Sequence, residues 1–217
     1  MPESRGKIVH VTSVHRPLDV RIFEKQCRSL VDHGFEVVLI AVDDEDQRRD
    51  GVLIKALPPP RGQFARMTVT AWQAFREALR QRASIYQIHD PELLPWGVIL
   101  RLLGKTVVYD MHENVPKDIH QKTWLPRWLM TPLVWLIRVF ERCLFTVIPV
   151  VFAETSYARD YRWVRQSVTV LKRPRLESLP PPAADRMSPP SVAYMGGVAR
   201  ERGSQVTLDA LCQLHHE

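Results

Sequence analysis

Glycine is scarce in this sequence, 9 residues of 217, and none lies between Ile8 and His33. A dinucleotide-binding fingerprint needs glycines in the turn after its first strand, for the tight bend and for backbone approach to a pyrophosphate. Their absence speaks against an NAD-type dehydrogenase or epimerase. Cysteine is also sparse. Cys27, Cys143 and Cys212 stand far apart, with no CxxC pair and no histidine at metal-site spacing. They read as reduced thiols of a reducing cytosol, and no metal site is predicted. Long apolar runs are missing too. The most apolar region, residues 124–153, is interrupted by Arg127, Arg138, Glu141 and Arg142. No uncharged stretch reaches the roughly 18 residues of a spanning helix. The opening MPESRGK has no apolar signal core, so neither export nor membrane crossing is predicted.

What is present is the composition of a soluble globular chain, 45% hydrophobic and 25% charged. The length suits one ordinary domain plus a fragment. A formal charge of +6 and a pI near 9.5 favour anionic partners. Nucleic acid ranks last among these, because no recognition helix or aromatic RNA-binding strand is evident.

Strand-like and helix-like segments alternate. KIVHVTSV (7–14) and EVVLIAV (36–42) are continuous β-branched runs of the kind buried on both faces of a parallel sheet. Between them Asp19 can cap a helix ended by Gly34, with Ile22, Phe23, Cys27, Leu30 and Val31 on one face. Strands follow at 52–57, 85–89, 105–112, 149–154 and 167–172, with a helix over 64–83 and a long one after 113. Asp90-Pro91-Glu92 reads as cap, N1 proline and first-turn acid of another helix. Such short crossovers imply a doubly wound parallel sheet of α/β class, with strand one central. A proline-dense stretch, 174–190, breaks the rhythm as a linker, and SVAYMGGV (191–198) opens a second β-α unit.

Ligands of doubly wound sheets bind at the carboxyl ends of the strands, and four such ends here carry polar clusters. The loop after strand one holds His15, Arg16, Asp19 and Arg21. Arg16 and Arg21 beside a helix N-terminus suit an anionic group, or Asp19 is a cap and Arg21 a solvated first-turn residue; both readings stay open. His89 ends the fourth strand before the helix that Asp90 caps, either as a satisfied structural residue or as a group facing the cleft with that helix's first amides. Asp110 and His112 alternate onto one face of the fifth strand, with Glu113 opposite or in the loop. That set is either a polar cluster closing the sheet end or a substrate contact. His10, mid-strand, reads as structural. Gly196 and Gly197, followed by Arg202 and Gly203, could present amides and cations to a diphosphate.

Projected at about 100° per residue, segment 124–147 has two faces. Leu129, Leu133, Leu136, Phe140, Leu144 and Val147 are expected to pack on the sheet. Trp124, Arg127, Trp128, Trp135, Arg138 and Arg142 form the other face, whose composition fits an anionic membrane surface or a groove against another domain or subunit.

The stretches HVTSVHRPLDVRIFEKQCRSLVDHGFEVVLIA, IHDPELLPWG, VVYDMHENVP and YMGGVARERG together resemble the N-terminal half of a family 4 retaining glycosyltransferase of GT-B fold. The resemblance covers essentially the whole chain. It implies a Rossmann-like acceptor domain at 1–173, the linker, and the first β-α unit of a truncated donor domain at 191–217. His89 then corresponds to the catalytic histidine that reaches the sugar in the cleft. His15, Arg16, Asp19, Arg21, Asp110, His112 and Glu113 fall on the acceptor side. Gly196, Gly197, Arg202 and Gly203 fall on the donor phosphates. A nucleotide-sugar is expected as substrate, with no separate cofactor, and a lipid-linked or polysaccharide acceptor. The family's acidic pair would lie beyond residue 217, so the chain is expected to be inactive alone, in the cytoplasm or peripheral on the inner face of the cell membrane. The alternative is a non-catalytic α/β module that binds a membrane surface or a partner protein.

Overall fold

The computed structural model describes residues 5–120, 125–173 and 203–214. Eight strands form one sheet: β1 (Lys7–Val11), β2 (Glu36–Val42), β3 (Gln47–Arg49), β4 (Val52–Leu57), β5 (Ile85–Ile88), β6 (Thr106–Met111), β7 (Val150–Phe152) and β8 (Ser167–Thr169). Their order is β3-β4-β2-β1-β5-β6-β7-β8. Every pairing is parallel except β3 with β4. Strand β1 therefore sits centrally, as a doubly wound α/β sheet requires, because the chain leaves it in one direction to β2 and returns to its other side as β5. The small hairpin β3-β4 is not anticipated above. Its signal is Asp50-Gly51, both at positive φ (47° and 81°), the dipeptide that favours a tight two-residue turn.

Two layers cover the sheet. Helix α1 runs as a widened π-helical segment (Val20–Cys27) continued by Arg28–Asp32. It buries Ile22, Phe23 and Cys27 against Val37, Leu39, Ala41, Val52 and Ile54. The opposite face carries the larger core, where Val9, Val11, Tyr86, Ile88, Val107 and Tyr109 pack with residues of the other helices. Those helices are α2, whose last part is Ala71–Arg80, α3 (Leu94–Leu102), α4 (Val115–His120), α5 (Arg127–Leu144) and α6 (Thr155–Asp160). A further helix, α7, spans Ser204–Leu214. Strand 191–198 and the linker lie outside the described residues.

Helix α5 is continuous across Pro132 but is rotated from the expected projection. Val134, Glu141 and Leu144 are its buried residues, with Met130, Leu133 and Ile137 half-buried between them. Leu129, Leu136, Phe140 and Val147, expected on the sheet, are exposed. The reason is a polar one. The Glu141 carboxyl accepts the hydroxyl of buried Tyr161, which turns that edge of the helix inward. Together with Trp128 and Trp135 the displaced side chains make an apolar stripe along the outside. Among the described residues no helix is long and apolar enough to cross a membrane.

Helix α3 lies close to the sheet because Gly97 has no side chain. A Cβ there would stand 2.8 Å from Ile88 Cδ1 and 3.3 Å from Ile148 Cδ1, both in the core. Gly97→Val should therefore destabilise the domain by about 1–3 kcal/mol through overpacking. Urea unfolding with an unchanged midpoint would refute this packing account.

Candidate active site

The apolar covering by α1 stops at β2 and β4. Over β1, β5 and β6 the same helix meets polar side chains, and the contact is built around Asp110, fully buried on β6. Arg21 grips this carboxylate with a two-pronged contact, Nε at 2.9 Å from Oδ2 and Nη2 at 2.6 Å from Oδ1. Gln26 Nε2 adds a third donor at 2.8 Å, and Gln87 donates in turn to Gln26. The other Arg21 prong, Nη1, reaches the Val170 carbonyl just past β8 at 2.9 Å, so α1 braces the sheet from its middle to its edge.

Three histidines continue the network. His112 Nε2 lies 2.8 Å from Asp110 Oδ2, and His89 Nδ1 lies 3.4 Å from the same oxygen. A carboxylate only accepts, so His112 donates from Nε2 and His89 from Nδ1. With a single ring proton, on Nδ1, His89 accepts at Nε2 from His10 Nδ1, 3.0 Å away. This leaves His10 Nε2 as a buried nitrogen without a partner among the described residues. The reversed tautomers would strand an N–H there instead of a lone pair, the costlier arrangement. Burial, reinforced by His89, lowers the His10 pKa to about 3, and burial also lowers that of His112 against the pull of Asp110. Burial works against ionisation of Asp110, but hydrogen bonds from His112, His89 and Arg21 outweigh it and hold the carboxyl well below the usual range.

These contacts place the residues singled out from sequence. Asp19 is the cap of α1, accepting from the Arg21 and Ile22 amides at 2.8 and 2.9 Å. Arg21 is not a solvated first-turn residue, and its guanidinium is consumed by Asp110 and Val170, so it is not free for a substrate anion. Asp110 is likewise enclosed. His89 stands at the expected strand end, but its ring is buried, with Nε2 facing His10 and Nδ1 facing Asp110, one layer behind His112. His15 packs its ring on that of His112, with centroids 4.8 Å apart, and remains partly accessible beside exposed Arg16 and Glu113. Gly203 immediately precedes α7, its carbonyl accepting from Thr207. Gly196, Gly197, Arg202 and Trp124 lie outside the described residues.

Asp90 corrects one expectation. It occupies the position before Pro91, but its side chain makes no cap hydrogen bond. Its Oδ2 accepts instead from the Ser13 amide at 2.6 Å and the Thr12 hydroxyl at 2.7 Å, pinning the loop after β1. Local spacing cannot reveal such a contact, because β1 and β5 become neighbours only when the sheet forms. His10, read as merely structural, is a member of the histidine chain. Its alternation with Val9 and Val11 onto the face of Asp110 and His112 was the available signal.

His15 stands between two carboxylates, 3.6 Å from Asp19 and 3.5 Å from Asp90. The Asp19 contact raises its pKa above 6.5, opposed by burial and helped by Asp90. Burial raises the Asp19 pKa, but His15 and the two capped amides overcome it and depress the value. His89, Asp110 and His112 bring three potential metal-ligand atoms within 4.8 Å. The Arg21 guanidinium already neutralises that carboxylate, and a divalent ion would have to work against it. The hydrogen-bond network accounts for the cluster without one.

Residues 20–172 match the Glycosyl transferase 4-like domain. Among solved structures, the α,α-trehalose-phosphate synthase (UDP-forming) of Burkholderia vietnamiensis is 16% identical, with a TM-score of 0.45 over 72% of this chain and 41% of that one. An E. coli structure described as trehalose-6-phosphate bound with UDP-2-fluoro glucose is 13% identical, with a TM-score of 0.42 over 73% of this chain and 41% of that one. The chain thus spans about two fifths of the length of these structures. Comparison with curated proteins returns no match.

Two outcomes follow from the site. Arg21→Ala leaves buried Asp110 without its cation, and should cost about 3–5 kcal/mol, whereas Arg21→Lys, which keeps a positive charge beside the carboxylate, should cost less. Equal losses on chemical denaturation would sink the ion-pair account. His15 stabilises as a cation: because its folded pKa is raised, its contribution is fully present below pH about 6.5 and is lost as pH rises through the raised value. Asp19, depressed, contributes above its ordinary 3.8 and loses that as pH falls. The melting-temperature gap between the native chain and His15→Gln should therefore be wider near pH 5.5 than near pH 9. A gap that is constant, or wider at high pH, would contradict the pairing.

Proposed function

The chain belongs to the glycosyl transferase 4-like family, and from that premise we propose that it forms the acceptor-side half of a retaining GT-B enzyme. In this reading a sugar passes from a nucleotide-sugar to a lipid-linked or polysaccharide acceptor. The observation that carries it is the polar cluster at the carboxyl ends of β1, β5 and β6, where an α/β sheet binds its ligand. The donor diphosphate is assigned to Gly196, Gly197, Arg202 and Gly203, and transfer requires a donor half in addition to this domain. Alone, the chain is expected to transfer no sugar.

In retaining transfer the leaving diphosphate gains negative charge while the sugar becomes cationic, so cleft groups act by fixed charge and by positioning hydroxyls. Neutral His112, whose Nε2–H donates to Asp110, keeps Nδ1 as an acceptor for a substrate hydroxyl. His15, with its raised pKa, and exposed Arg16 supply positive charge at the mouth, with Asp19 and Glu113 available to hydroxyls. His89 is a positioning residue: it shares Asp110 with His112 and fixes that ring. The exposed stripe of α5, edged by Arg127, Arg138 and Arg142, supports peripheral contact with an anionic membrane on the cytoplasmic side.

In the complete enzyme His112→Ala should lower kcat by about 10²-fold. His89→Ala should lower kcat comparably with KM for the nucleotide-sugar unchanged, and the double variant should be little worse than either single one, as for residues acting as a unit. Near-normal turnover of His112→Ala, or multiplicative losses in the double variant, would overturn these roles.

A further inference from the structure

A cavity of about 300 Å³ opens beside α5, lined among others by Asn114, Lys117, Arg138, Glu141, Arg142 and Trp163. One wall is the Glu141 carboxyl, 4% exposed. Among the described residues Tyr161 is its hydrogen-bond donor, its hydroxyl 3.2 and 3.0 Å from the two oxygens, and no cation stands within ion-pair distance. An ionised carboxyl offers about four lone-pair sites. One hydroxyl satisfies one of them, and a buried acceptor left short of donors is costly. Burial accordingly raises its pKa to about 7, with Tyr161 and Arg138 pulling the other way.

The cations around this carboxyl are not equivalent. Lys117 is spent on Asp160 at 2.6 Å. Arg142 lies over the Trp163 ring, 5.1 Å from its centroid, which occupies the guanidinium face and leaves its N–H edge. Arg138 makes no ion pair among the described residues. The two arginines lie on α5 between the cavity and the apolar stripe, where Trp128 is 77% and Trp135 66% exposed. A helix resting on a bilayer by that stripe would hold its bordering arginines at the level of lipid phosphates, with the cavity opening beside them.

We propose that this cavity takes the head of an anionic lipid bearing hydroxyls next to its phosphate, a polyol or glycosyl phosphate, whose hydroxyls donate to Glu141 while its phosphate accepts from Arg138 and Arg142. The inference rests on the membrane-facing reading of α5. Phosphate alone would satisfy the arginines and leave the carboxyl short of donors. A hydroxylated head satisfies both.

The test compares sedimentation of the chain with neutral vesicles containing equal fractions of phosphatidylglycerol or phosphatidylmethanol, which carry the same charge and differ in hydroxyls. Binding should be about fivefold tighter to phosphatidylglycerol, the size of one or two net hydrogen bonds. Glu141→Gln should remove the preference, and Arg138→Gln with Arg142→Gln should weaken binding to both lipids. Equal binding of the native chain to the two lipids, or a preference kept by Glu141→Gln, overturns the assignment. Trp128→Ala with Trp135→Ala should weaken both without changing their ratio; no weakening refutes the membrane contact on which the lipid source depends. Soluble sn-glycerol 3-phosphate then judges the cavity by itself. It should shift the Trp163 indole resonance more than inorganic phosphate does, and equal or absent shifts refute the site even if Glu141→Gln fails to fold. No donor sugar enters these measurements, so failure of the transfer reading would be seen separately, as lack of turnover in the complete enzyme.

Discussion

A charged pair closed off from water, Arg21 with Asp110, sets the terms for the rest of this domain. An isolated carboxylate at the centre of a parallel sheet would be intolerable, and even a paired one requires good geometry to offset its desolvation. Asp110 meets that requirement by collecting donors from α1 and from the residues that directly follow β5 and β6, His89 and His112. The position of α1 follows. Its apolar side can lie only over β2 and β4, because over β1, β5 and β6 it must deliver Arg21 and Gln26.

The same constraint orders the histidines. Once Asp110 accepts from His112 and His89, the nitrogen that must carry a proton on each ring is decided, Nε2 on His112 and Nδ1 on His89. The rings form a graded series, from His10 in the core through His89 and His112 to His15 at the surface. Asp90 holds the loop that carries His15, so the outermost ring rests on a pinned support. Groups that meet a substrate gain when their rotamers and protonation are settled beforehand, since no reorganisation is then needed at the moment of reaction. Here the supporting layer does that while remaining out of reach itself.

Helix α5 shows the opposite economy. It turns a glutamate inward and leaves tryptophan, leucine and phenylalanine outside. For a helix whose only task was packing, that rotation would be unfavourable. It becomes reasonable where the inner carboxyl serves a polar cavity and the outer stripe meets an apolar surface. Buried polarity and exposed apolarity on one helix thus point to the same role from two sides.

By itself the sequence determined the parallel sheet, though not the β3-β4 hairpin. Strand-like runs at 36–42, 52–57 and 105–112, the cap at Asp19 and the stop at Gly34 act within a few residues, and the central place of strand one followed from short crossovers of one hand. The polar strand ends were legible on the same terms, so His15, His89, Asp110 and His112 could be named. Roles within the site could not, because Arg21 and Asp110 are 89 positions apart and Asp90 and Ser13 are 77 apart. The helical projection at α5 failed for the same reason: hydropathy weighed Leu136 and Phe140 as inward residues without knowing that Tyr161 would offer Glu141 a donor. Periodicity reports what each residue prefers on average, whereas only the assembled fold decides which buried polar groups find partners, and those pairings chose the faces, the tautomers and the residues left free to meet a ligand.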